Sequence, residues 1–456
     1  MNFDAIVIGS GQGGNPLSQR LADLGWSVAL VEQAQLGGTC INTGCTPTKT
    51  MVASAQVAHY ARHADRWGVR TAAVSVDMPA VVARKNKIVE RARAGQERSV
   101  AKREKMRLYR GHARFAGPHT VEVAGEEITS EKIFIDTGAK PTIPAIEGLD
   151  SSGYLTNASI MELADVPEHL LVLGGGYVGL EFGQMFARFG SRVTIVHAAG
   201  QILTREDADI ATELQKILEA EGLHFILNAK TTRVERSGAT LNLSVETPQG
   251  SQRLSGTHLL VAAGRTPNTG DLGLDRAGIE ADRAGFIRVN PRLETNVPGV
   301  WALGDVKGGP AFTHISYNDY QIIWANLIDG KNQTTENRYV PYAVFTDPQL
   351  GCVGFTEKEA REKGYRLKIG KIPMTHVSRA IERDETAGLM KLVVDAANDR
   401  ILGASILASE GGELVQLLGV AMMAGAPYTL LKGAVYIHPT LAEGFFSLME
   451  SVKPQD

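Results

Sequence analysis

Uninterrupted apolar runs alternate with helical patterns over most of the chain. The first run, 3–8, is followed by glycines, by an apolar pattern of helical spacing over 17–24, and by a second apolar run at 28–31. The same order of strand, glycines, helix and strand returns at 170–196. Such runs are typical of parallel strands that are covered on both faces. The pattern therefore predicts an α/β fold with two Rossmann-like units.

The pattern changes near Arg338. Short strand-like stretches up to residue 407 are followed by one long apolar helix at 412–423, which predicts an α+β domain. Glycine and proline breaks at 137–144 and 264–268 indicate domain exits. We expect four segments: a first dinucleotide-binding domain at 1–145, a second at 146–268, a return to the first at 269–337, and a C-terminal domain at 338–456.

The first glycine cluster has the spacing of a dinucleotide-binding loop. Gly9, Gly11 and Gly14 form G-x-G-x-x-G after a strand and before a helix, and the next strand ends at Glu32. Glycines let the backbone approach a pyrophosphate, and a carboxylate at the next strand end can accept hydrogen bonds from ribose hydroxyls. The alternative is a glycine turn that binds no ligand.

The second glycine cluster differs at its acidic position. Gly174, Gly176 and Gly179 repeat the spacing, but the following strand ends at His197. Without a carboxylate there, a 2′-phosphate meets less repulsion, and Arg205 follows soon after, which favours NADPH slightly over NADH. The alternative is a surface histidine with no role in the choice of coenzyme.

Two of the three cysteines stand five positions apart just after the first nucleotide loop. Cys40 and Cys45 precede a predicted helix over 48–64, and we expect the pair at its N-terminus, where the helix dipole favours a thiolate. This placement predicts a dithiol that cycles with its disulfide. A structural disulfide and half of a zinc site are the alternatives. The third cysteine, Cys352, stands alone in an apolar strand and is predicted to be a core residue.

Two further elements carry candidate chemistry. Asp305 follows Gly304 at a strand end, where its carboxylate can hold the hydroxyls of a sugar-like chain; the alternative is an N-cap for a helix predicted over 315–328. His438 is followed by Glu443, and a histidine oriented by a carboxylate is a common general acid/base, although a structural histidine is the alternative.

Composition excludes several classes of partner. The 456 residues contain 47 basic and 50 acidic side chains, a net charge of -3, which shows no bias toward nucleic acid or anionic membranes. The basic stretch 84–110 reads as mostly helical and as a solvated face, with a nucleic-acid surface as the alternative. No apolar run is long enough to span a bilayer, and the first residues lack the pattern of a signal peptide. We expect a cytoplasmic protein that acts on a small molecule, without a metal site.

These motifs, in this order, resemble the pyridine nucleotide-disulfide oxidoreductases, which include dihydrolipoamide dehydrogenase, glutathione reductase and mercuric reductase. The resemblance covers essentially the whole chain. The stretches 40–50 and 304–313 are most similar to the mercuric-reductase-like and reactive-chlorine-resistance (hypothiocyanous acid reductase) flavoproteins.

The resemblance implies FAD on the first unit, NADPH or NADH on the second, and a homodimer formed through the C-terminal domain. The contacts that it implies for FAD are Gly9, Gly11, Gly14, Glu32, Gly38, Thr39, Lys49, Gly138, Gly304 and Asp305. The contacts that it implies for NAD(P)H are Gly174, Gly176, Tyr177, Gly179, Arg205 and Gly264, with Tyr177 as a lid over the nicotinamide pocket or, alternatively, as a packed helix residue.

The resemblance also implies the catalytic residues. Electrons pass from NAD(P)H through the flavin to Cys45, and Cys40 is the interchange thiol that attacks the substrate. Lys49 and Glu181 match a pair beside the flavin N5. His438, oriented by Glu443 and contributed by the partner subunit, takes and returns the proton of Cys40.

The predicted function is therefore an NAD(P)H-driven flavoenzyme that reduces a small disulfide, a thiol-reactive oxidant or a soft metal ion. A dihydrolipoamide dehydrogenase and a redox sensor are the competing functions. The tail 449–456 has no cysteine, whereas mercuric reductases end in a cysteine pair, which weakens the mercury interpretation. Thr43 and Thr46 replace the aliphatic residues of many relatives and predict a more polar surrounding for Cys45.

Overall fold

The structure, a computed structural model, describes residues 1–336 and 338–455. Its helices, α1 to α13 in chain order, span Gly14–Asp23, Gly38–Asn42, Cys45–Arg62, Met78–Ala101, Tyr177–Phe189, Ala208–Ala220, Leu274–Ala277, Thr313–Leu327, Glu357–Glu362, Ser378–Glu382, Gly411–Met423, Tyr428–Lys432 and Gly444–Glu450. Short 3₁₀ helices span Ala64–Trp67, Ser159–Glu162, Gly304–Lys307 and Met374–His376.

The strands, β1 to β23 in chain order, span Ala5–Ile8, Val28–Glu32, Met106–Arg110, Arg114–Gly117, Thr120–Val123, Glu126–Thr129, Ile133–Ile135, Ala139–Pro141, His169–Leu173, Arg192–Val196, His224–Ile226, Lys230–Ser237, Thr240–Thr247, Gly250–Gly256, His258–Val261, Arg265–Pro267, Val300–Ala302, Tyr342–Val344, Gln349–Gly354, Leu367–Pro373, Leu389–Asp395, Ile401–Ala408 and Lys453–Pro454.

The chain forms two compact units. The first contains Met1–Met51, Ala80–Thr142 and Gly264–Arg338. The second contains Val52–Pro79, Ile143–Ala263 and Tyr339–Asp456. The domain boundaries predicted from the sequence stay predictions.

The centre of the first unit is a parallel sheet in the order β17-β7-β1-β2-β3. Alternate residues of β1 enter two different cores: Val7 packs with residues of α1 and α8, and Ile8 packs with the antiparallel sheet β4-β5-β6. Because both faces are covered, the strand is apolar at every position. The carboxyl ends of these strands meet at one edge, which is where such sheets bind ligands.

The second unit contains a parallel sheet in the order β11-β10-β9-β15 and the antiparallel sheet β12-β13-β14. It also contains a six-stranded sheet in the order β18-β19-β22-β21-β20-β23, whose core includes apolar residues of α11 and α13. The predicted α/β fold with a C-terminal α+β domain is confirmed.

The structure corrects the helix predicted over most of 84–110. Helix α4 ends at Ala101, and Met106–Arg110 is strand β3, which pairs with β2 at the edge of the sheet. In β3, Met106 and Leu108 pack against one core and Tyr109 lies in the other, so both faces of this edge strand are partly covered. No helix among residues 1–336 and 338–455 is long and apolar enough to cross a membrane.

Candidate active site

The two neighbouring cysteines lie on two consecutive helices. Cys40 is in α2, whereas Cys45 is the first residue of α3, so the expected position at the start of one helix is correct for Cys45 alone. Thr43 has a non-helical backbone and separates the two helices. A side chain on Gly44 would come within 2.8 Å of the Thr39 carbonyl oxygen, and glycine therefore allows this turn. Both cysteines are free thiols.

The electrostatics of the pair favour one thiolate. A hydrogen bond with Cys40 lowers the pKa of Cys45 to about 6, and Thr313 and the positive charge of Lys49 act in the same direction. Cys45 is the more exposed of the two residues. The same hydrogen bond, together with burial, raises the pKa of Cys40 well above its usual range. The two groups titrate as a pair. At neutral pH, therefore, Cys45 is the thiolate and Cys40 is the thiol that donates to it.

Thr313 is a site residue that the sequence did not reveal. Its Oγ1 lies 3.2 Å from Sγ of Cys45, and it is the first residue of α8. The two residues are 268 positions apart, and no spacing rule connects them. The contact follows from the fold, which brings the start of α8 to the start of α3.

The glycine loop at the carboxyl end of β1 is tightly packed. Gly9 has φ +103°, and a side chain there would come within 2.2 Å of the Asp136 carbonyl oxygen. Gly38 has φ +60°, and a side chain there would lie 2.8 Å from Cα of Gly11. The segment that carries Gly38 and Thr39 therefore lies directly against the glycine loop.

The next strand end carries Glu32, as expected. Its side chain is buried, and its Oε2 accepts hydrogen bonds from the hydroxyl (2.6 Å) and the backbone N–H (3.1 Å) of Ser10. The carboxylate is thus fixed beside the glycine loop, in the position where dinucleotide-binding folds hold a ribose.

Asp136, at the end of β7, is a second residue that sequence reasoning missed. Its Oδ2 accepts a hydrogen bond of 2.7 Å from the backbone N–H of Gly14, the first residue of α1. Burial raises the pKa of Asp136 well above its usual range. The sequence pattern predicts a strand over 132–136 and gives its last residue, Asp136, no role.

The segment around Asp305 is held by a buried group of charges. Gly304 donates from its backbone N–H to Asp319 over 2.9 Å, and Asp319 pairs with Arg338 (2.6 Å) and Lys307 (3.2 Å). Asp305 lies in a 3₁₀ helix, and Phe312 occupies the N-cap of α8, so the alternative in which Asp305 caps that helix is wrong. Burial raises the pKa of Asp305 against the nearby Arg265, whose Nε lies 3.6 Å from its Oδ2.

The two predicted domain exits pair with each other. Strands β8 and β16 form a two-stranded antiparallel ribbon. Gly138, with φ +67°, and Gly264, with φ +116°, directly precede these strands, and glycine is suited to both positions.

The second glycine loop is equally tight. A side chain on Gly174 would come within 2.3 Å of the Ala262 carbonyl oxygen, and one on Gly179 within 2.0 Å of the Gly174 carbonyl oxygen. Gly176, in contrast, faces open space. Tyr177 begins α5 with 39% of its surface exposed. Glu181, further along α5, is buried and accepts a hydrogen bond of 2.9 Å from the Phe345 N–H.

His197 and Arg205 have different surroundings. His197 is half-buried, and its Nδ1 accepts a hydrogen bond of 3.1 Å from the backbone N–H of Gly175, so it is part of the glycine loop rather than a surface histidine. Burial lowers the pKa of His197, which keeps it neutral near pH 7. Arg205 is exposed.

His438 and Glu443 are in contact on the loop between α12 and α13. The His438 Nδ1 lies 2.7 Å from Oε2 of Glu443. The histidine side chain is 70% exposed, whereas the glutamate side chain is only 18% exposed. The carboxylate therefore orients the ring and leaves it accessible to solvent.

The remaining cysteine has a buried, polar environment. Cys352 on β19 is 4% exposed, and its Sγ donates to Oε2 of Glu206 over 3.4 Å. Burial raises the pKa of Cys352 well above its usual range. Across the described residues, no three His, Cys, Asp or Glu side chains form a group suited to a metal ion.

Comparison with known proteins agrees with this geometry. The family described as pyridine nucleotide-disulphide oxidoreductase matches residues 3–319, and its dimerisation domain matches residues 340–448. The chain belongs to this family. Its members are flavoproteins that use FAD and NAD(P)H, and the chain is accordingly an FAD-dependent oxidoreductase of the pyridine nucleotide-disulphide type. The predicted family, reaction type and cofactors are confirmed.

Several members of the family are similar over nearly the whole chain. The probable pyridine nucleotide-disulfide oxidoreductase RclA of Escherichia coli is 38% identical over 99% of both chains. The dihydrolipoyl dehydrogenase of Thermus scotoductus is 38% identical over 99% of this chain and 98% of its own. A mercuric reductase of Lysinibacillus sphaericus is 33% identical over 97% of this chain and 81% of its own.

Solved structures show the same similarity. The Cu(II) complex of the HOCl-induced flavoprotein disulfide reductase RclA from Escherichia coli has a TM-score of 0.91 at 37% identity. It covers 99% of this chain and 100% of that one. At this identity, the likeness extends beyond the fold to the family.

The residues at the edge of the first sheet fit FAD. The N-terminus of α1 and the glycine loop suit a pyrophosphate, and Glu32 suits a ribose. The hydroxyl of Thr137, next to Asp136, is buried and has no hydrogen-bond partner within the described part of the chain. An unsatisfied buried hydroxyl is costly and is explained by a polar ligand.

Proposed function

We propose that this flavoenzyme passes electrons through the Cys40–Cys45 disulfide to a small disulfide, a thiol-reactive oxidant or a soft metal ion. The observation that supports it most directly is the coupled thiol and thiolate, with Cys45 as the anion beside Thr313 and Lys49. Because the pKa values of the two thiols differ, one sulfur is suited to relay electrons and the other to act as the exchange nucleophile.

With a disulfide as substrate, the proposed exchange has two steps. Cys40 loses its proton to His438 and attacks one substrate sulfur, which breaks the substrate disulfide and releases a thiolate that takes the proton back. The Cys45 thiolate then attacks Sγ of Cys40, which forms the Cys40–Cys45 disulfide and releases the second substrate thiolate. Two electrons leave the protein in this exchange. Bound FAD supplies the relay that returns two electrons from NAD(P)H to the disulfide.

We assign the binding roles as predicted from the sequence. Glycines of the first loop, Gly38, Thr39, Gly138, Glu32 and the Gly304–Asp305 segment would hold FAD. The second loop, Tyr177, Arg205 and Gly264 would hold NAD(P)H. Lys49 and Glu181 would support the flavin ring. The tight packing of both glycine loops supports this assignment.

We further propose a homodimer in which His438 of each copy serves the dithiol of the other. The matched dimerisation domain supports it, and so does a group of exposed apolar side chains in the C-terminal domain, which we call the apolar face. Its members are Leu417, Val420, Met423, Leu430, Val435, Ile437 and Phe446. Large exposed apolar patches mark interaction sites, and Leu417, Val420 and Met423 follow each other at intervals of three along α11. The loop that carries Val435 and Ile437 also carries His438.

The test is a pair of single variants measured with a panel of acceptors. Cys40→Ser and Cys45→Ser should each lose at least about a thousandfold in steady-state turnover, because exchange needs both sulfurs. Cys352→Ser is the matched control, since that thiol is buried and takes no part. Full activity of both active-site variants with every acceptor would contradict the dithiol mechanism.

The panel contains glutathione disulfide, lipoamide, Hg(II), Cu(II) and hypothiocyanous acid, each with NADH and with NADPH. A dihydrolipoamide dehydrogenase is the second candidate, supported by the similarity to the Thermus scotoductus enzyme. It predicts efficient NAD⁺ reduction by dihydrolipoamide, and absence of that reaction would eliminate it. The ratio of the two coenzyme efficiencies also decides the slight preference for NADPH. The cytoplasmic location stays a prediction.

A further inference from the structure

The carboxyl group of Asp136 lies close to three glycines from two segments of the chain. A side chain on Gly11 would come within 2.7 Å of Oδ2 of Asp136, one on Gly14 within 3.0 Å of the same atom, and one on Gly304 within 2.6 Å of Oδ1. The carboxyl group therefore fills the space between the loop after β1 and the segment after β17. These are the two segments that the proposed function assigns to FAD.

Asp136 also caps a helix that it does not belong to. The N-cap residue of α1, Gly13, has no side chain to offer, and Oδ2 of Asp136 accepts the N–H of Gly14 over 2.7 Å. A hydrogen-bond acceptor at a helix N-terminus satisfies an otherwise unpaired donor and fixes the first turn. The orientation of the glycine loop thus depends on a residue that is 122 positions away.

A negative charge on the Asp136 carboxyl group is unfavourable in its surroundings. Asp136 is only 6% exposed, and the acidic groups that face it are Asp305 and Asp319. Asp319 is neutralised by Lys307 and Arg338, and Asp305 has Arg265 at 3.6 Å. No ion pair joins a cation to Asp136 in the described part of the chain. A dinucleotide pyrophosphate at the start of α1 would add further negative charge next to it.

We propose that Asp136 is a positioning residue for FAD that works in its protonated form: it caps α1, holds the glycine loop against the Gly304 segment, and takes up a proton when the pyrophosphate binds. The inference rests on the proposed assignment of FAD to this edge. It does not depend on the acceptor, so its failure and that of the proposed substrate class are distinguishable.

The direction of the pH dependence follows from the coupling between FAD binding and proton binding by Asp136. FAD binding keeps the proton on Asp136 up to a higher pH than in the FAD-free protein. Affinity for FAD is therefore full at low pH and falls as pH rises through the pKa of the FAD-free state, by up to about tenfold per pH unit for one proton.

The experiment measures FAD affinity without turnover. Holoenzyme is diluted and filtered at several pH values between about 6 and 9, and free flavin is read by its fluorescence. For the wild type we expect the dissociation constant to rise with pH. Asp136→Asn keeps the acceptor and has no charge, and we expect it to bind FAD within about threefold of the wild type at pH 6 and to lose the pH dependence.

Asp136→Ala removes the cap and should weaken FAD binding at least about tenfold at every pH, with Asp275→Asn, an exposed carboxylate in the same unit, as the unchanged control. The proposal is overturned if Asp136→Asn follows the same pH slope as the wild type, or if Asp136→Ala binds FAD as tightly. Should Asp136→Ala fail to fold, the pH comparison with Asp136→Asn still decides the question.

Discussion

The sulfur of Cys45 has three neighbours that favour its anion: the Cys40 thiol, the hydroxyl of Thr313 and the positive charge of Lys49. The spacing of the cysteines and their place next to a helix were readable from the sequence. The roles of Thr313 and Asp136 were not, because each acts on a residue more than 100 positions away in the sequence. At the residue scale, the sequence indicated the neighbouring cysteines, Lys49 and the contact of His438 with Glu443, and their roles stay predictions.

Replacing Thr313 by valine keeps the volume and removes the hydroxyl. We expect the pKa of Cys45 to rise by about one unit, equivalent to about 1.4 kcal/mol, so that less thiolate is present between pH 6 and 7. The pH dependence of thiolate absorbance, or of alkylation by iodoacetamide, measures the shift in the reduced enzyme. Thr313→Ser should restore the original titration, and a valine variant with an unchanged curve would contradict the role of the hydroxyl.

The contact between His438 and Glu443 predicts a selective kinetic defect. We expect His438→Ala to slow acceptor reduction by about a hundredfold or more, as for loss of a general acid/base, while flavin reduction by NAD(P)H stays unchanged. Glu443→Gln should give a smaller defect, because the ring is still hydrogen-bonded and only the charge is lost. Stopped-flow measurement of each half-reaction separates the two steps.

His376→Ala is the control for that experiment, since this histidine is also exposed and lies in the same unit. If the His438 variant slowed both half-reactions equally, its role in proton transfer would be wrong.

Secondary-structure elements place the functional groups in a regular way. Gly9, Glu32, Asp136 and Gly304 all lie at or just after the carboxyl ends of parallel strands, and the sequence pattern predicted a strand end near each of them. The pattern failed at 106–110, where an edge strand with basic side chains followed a basic helix and was read as its continuation. The five residues of this strand do not alternate regularly between apolar and basic side chains, so the sequence pattern did not mark the change from helix to strand.

Lys391 on β21 forms ion pairs with carboxylates from two other parts of the chain, which the sequence pattern did not indicate. Its Nζ lies 2.9 Å from Glu357, 3.0 Å from Asp207 and 3.2 Å from Asp209. Burial acts to raise the pKa of Asp209 and of Glu357, but hydrogen bonds and charges from lysines and arginines lower both below their usual values. These ion pairs therefore stabilise the fold above the pKa of the unfolded carboxyl groups, near pH 4, and this contribution is lost as pH falls below it.

Lys391→Met should destabilise the second unit by about 3–5 kcal/mol, because it removes the buried cation that Asp207, Asp209 and Glu357 share. Thermal unfolding at pH 7 measures the loss, and the difference from the wild type should shrink as pH falls below about 4, where those carboxylates become protonated. Lys216→Met, with an exposed side chain on α6, should leave the midpoint nearly unchanged. Equal midpoints for the Lys391 variant and the wild type would show that the cluster contributes nothing.

For the molecule as a whole, the order of motifs predicted the family and the type of each domain. It did not predict the apolar face. Helix α11 is apolar on nearly all sides, a pattern typical of a buried helix, yet Val420 is 64% exposed and Met423 75% exposed. This side is exposed in the single chain, and the apolar pattern of the sequence does not distinguish such exposed positions from core positions.

The double variant Val420→Asp and Met423→Glu should convert a dimer to a monomer, because charges in the centre of an apolar interface are costly to bury. Light scattering coupled to size-exclusion chromatography measures the mass. FAD should be retained, whereas acceptor turnover should fall at least as far as in His438→Ala. Leu24→Glu, an exposed leucine in the first unit, is the control. A dimer that persists, or a monomer with full turnover, would contradict the proposed assembly.

Because Cys352 is buried, the oxidation state of the Cys40–Cys45 pair can be measured by counting the thiols that react with a labelling reagent. Since the folded chain shields that sulfur, an electrophilic dye applied under gentle conditions has only two possible targets in the reduced protein and none after oxidation. The same dye in strong denaturant adds one equivalent in either case, an internal standard for concentration. Cys352 therefore serves as an internal reference for the labelling of Cys40 and Cys45.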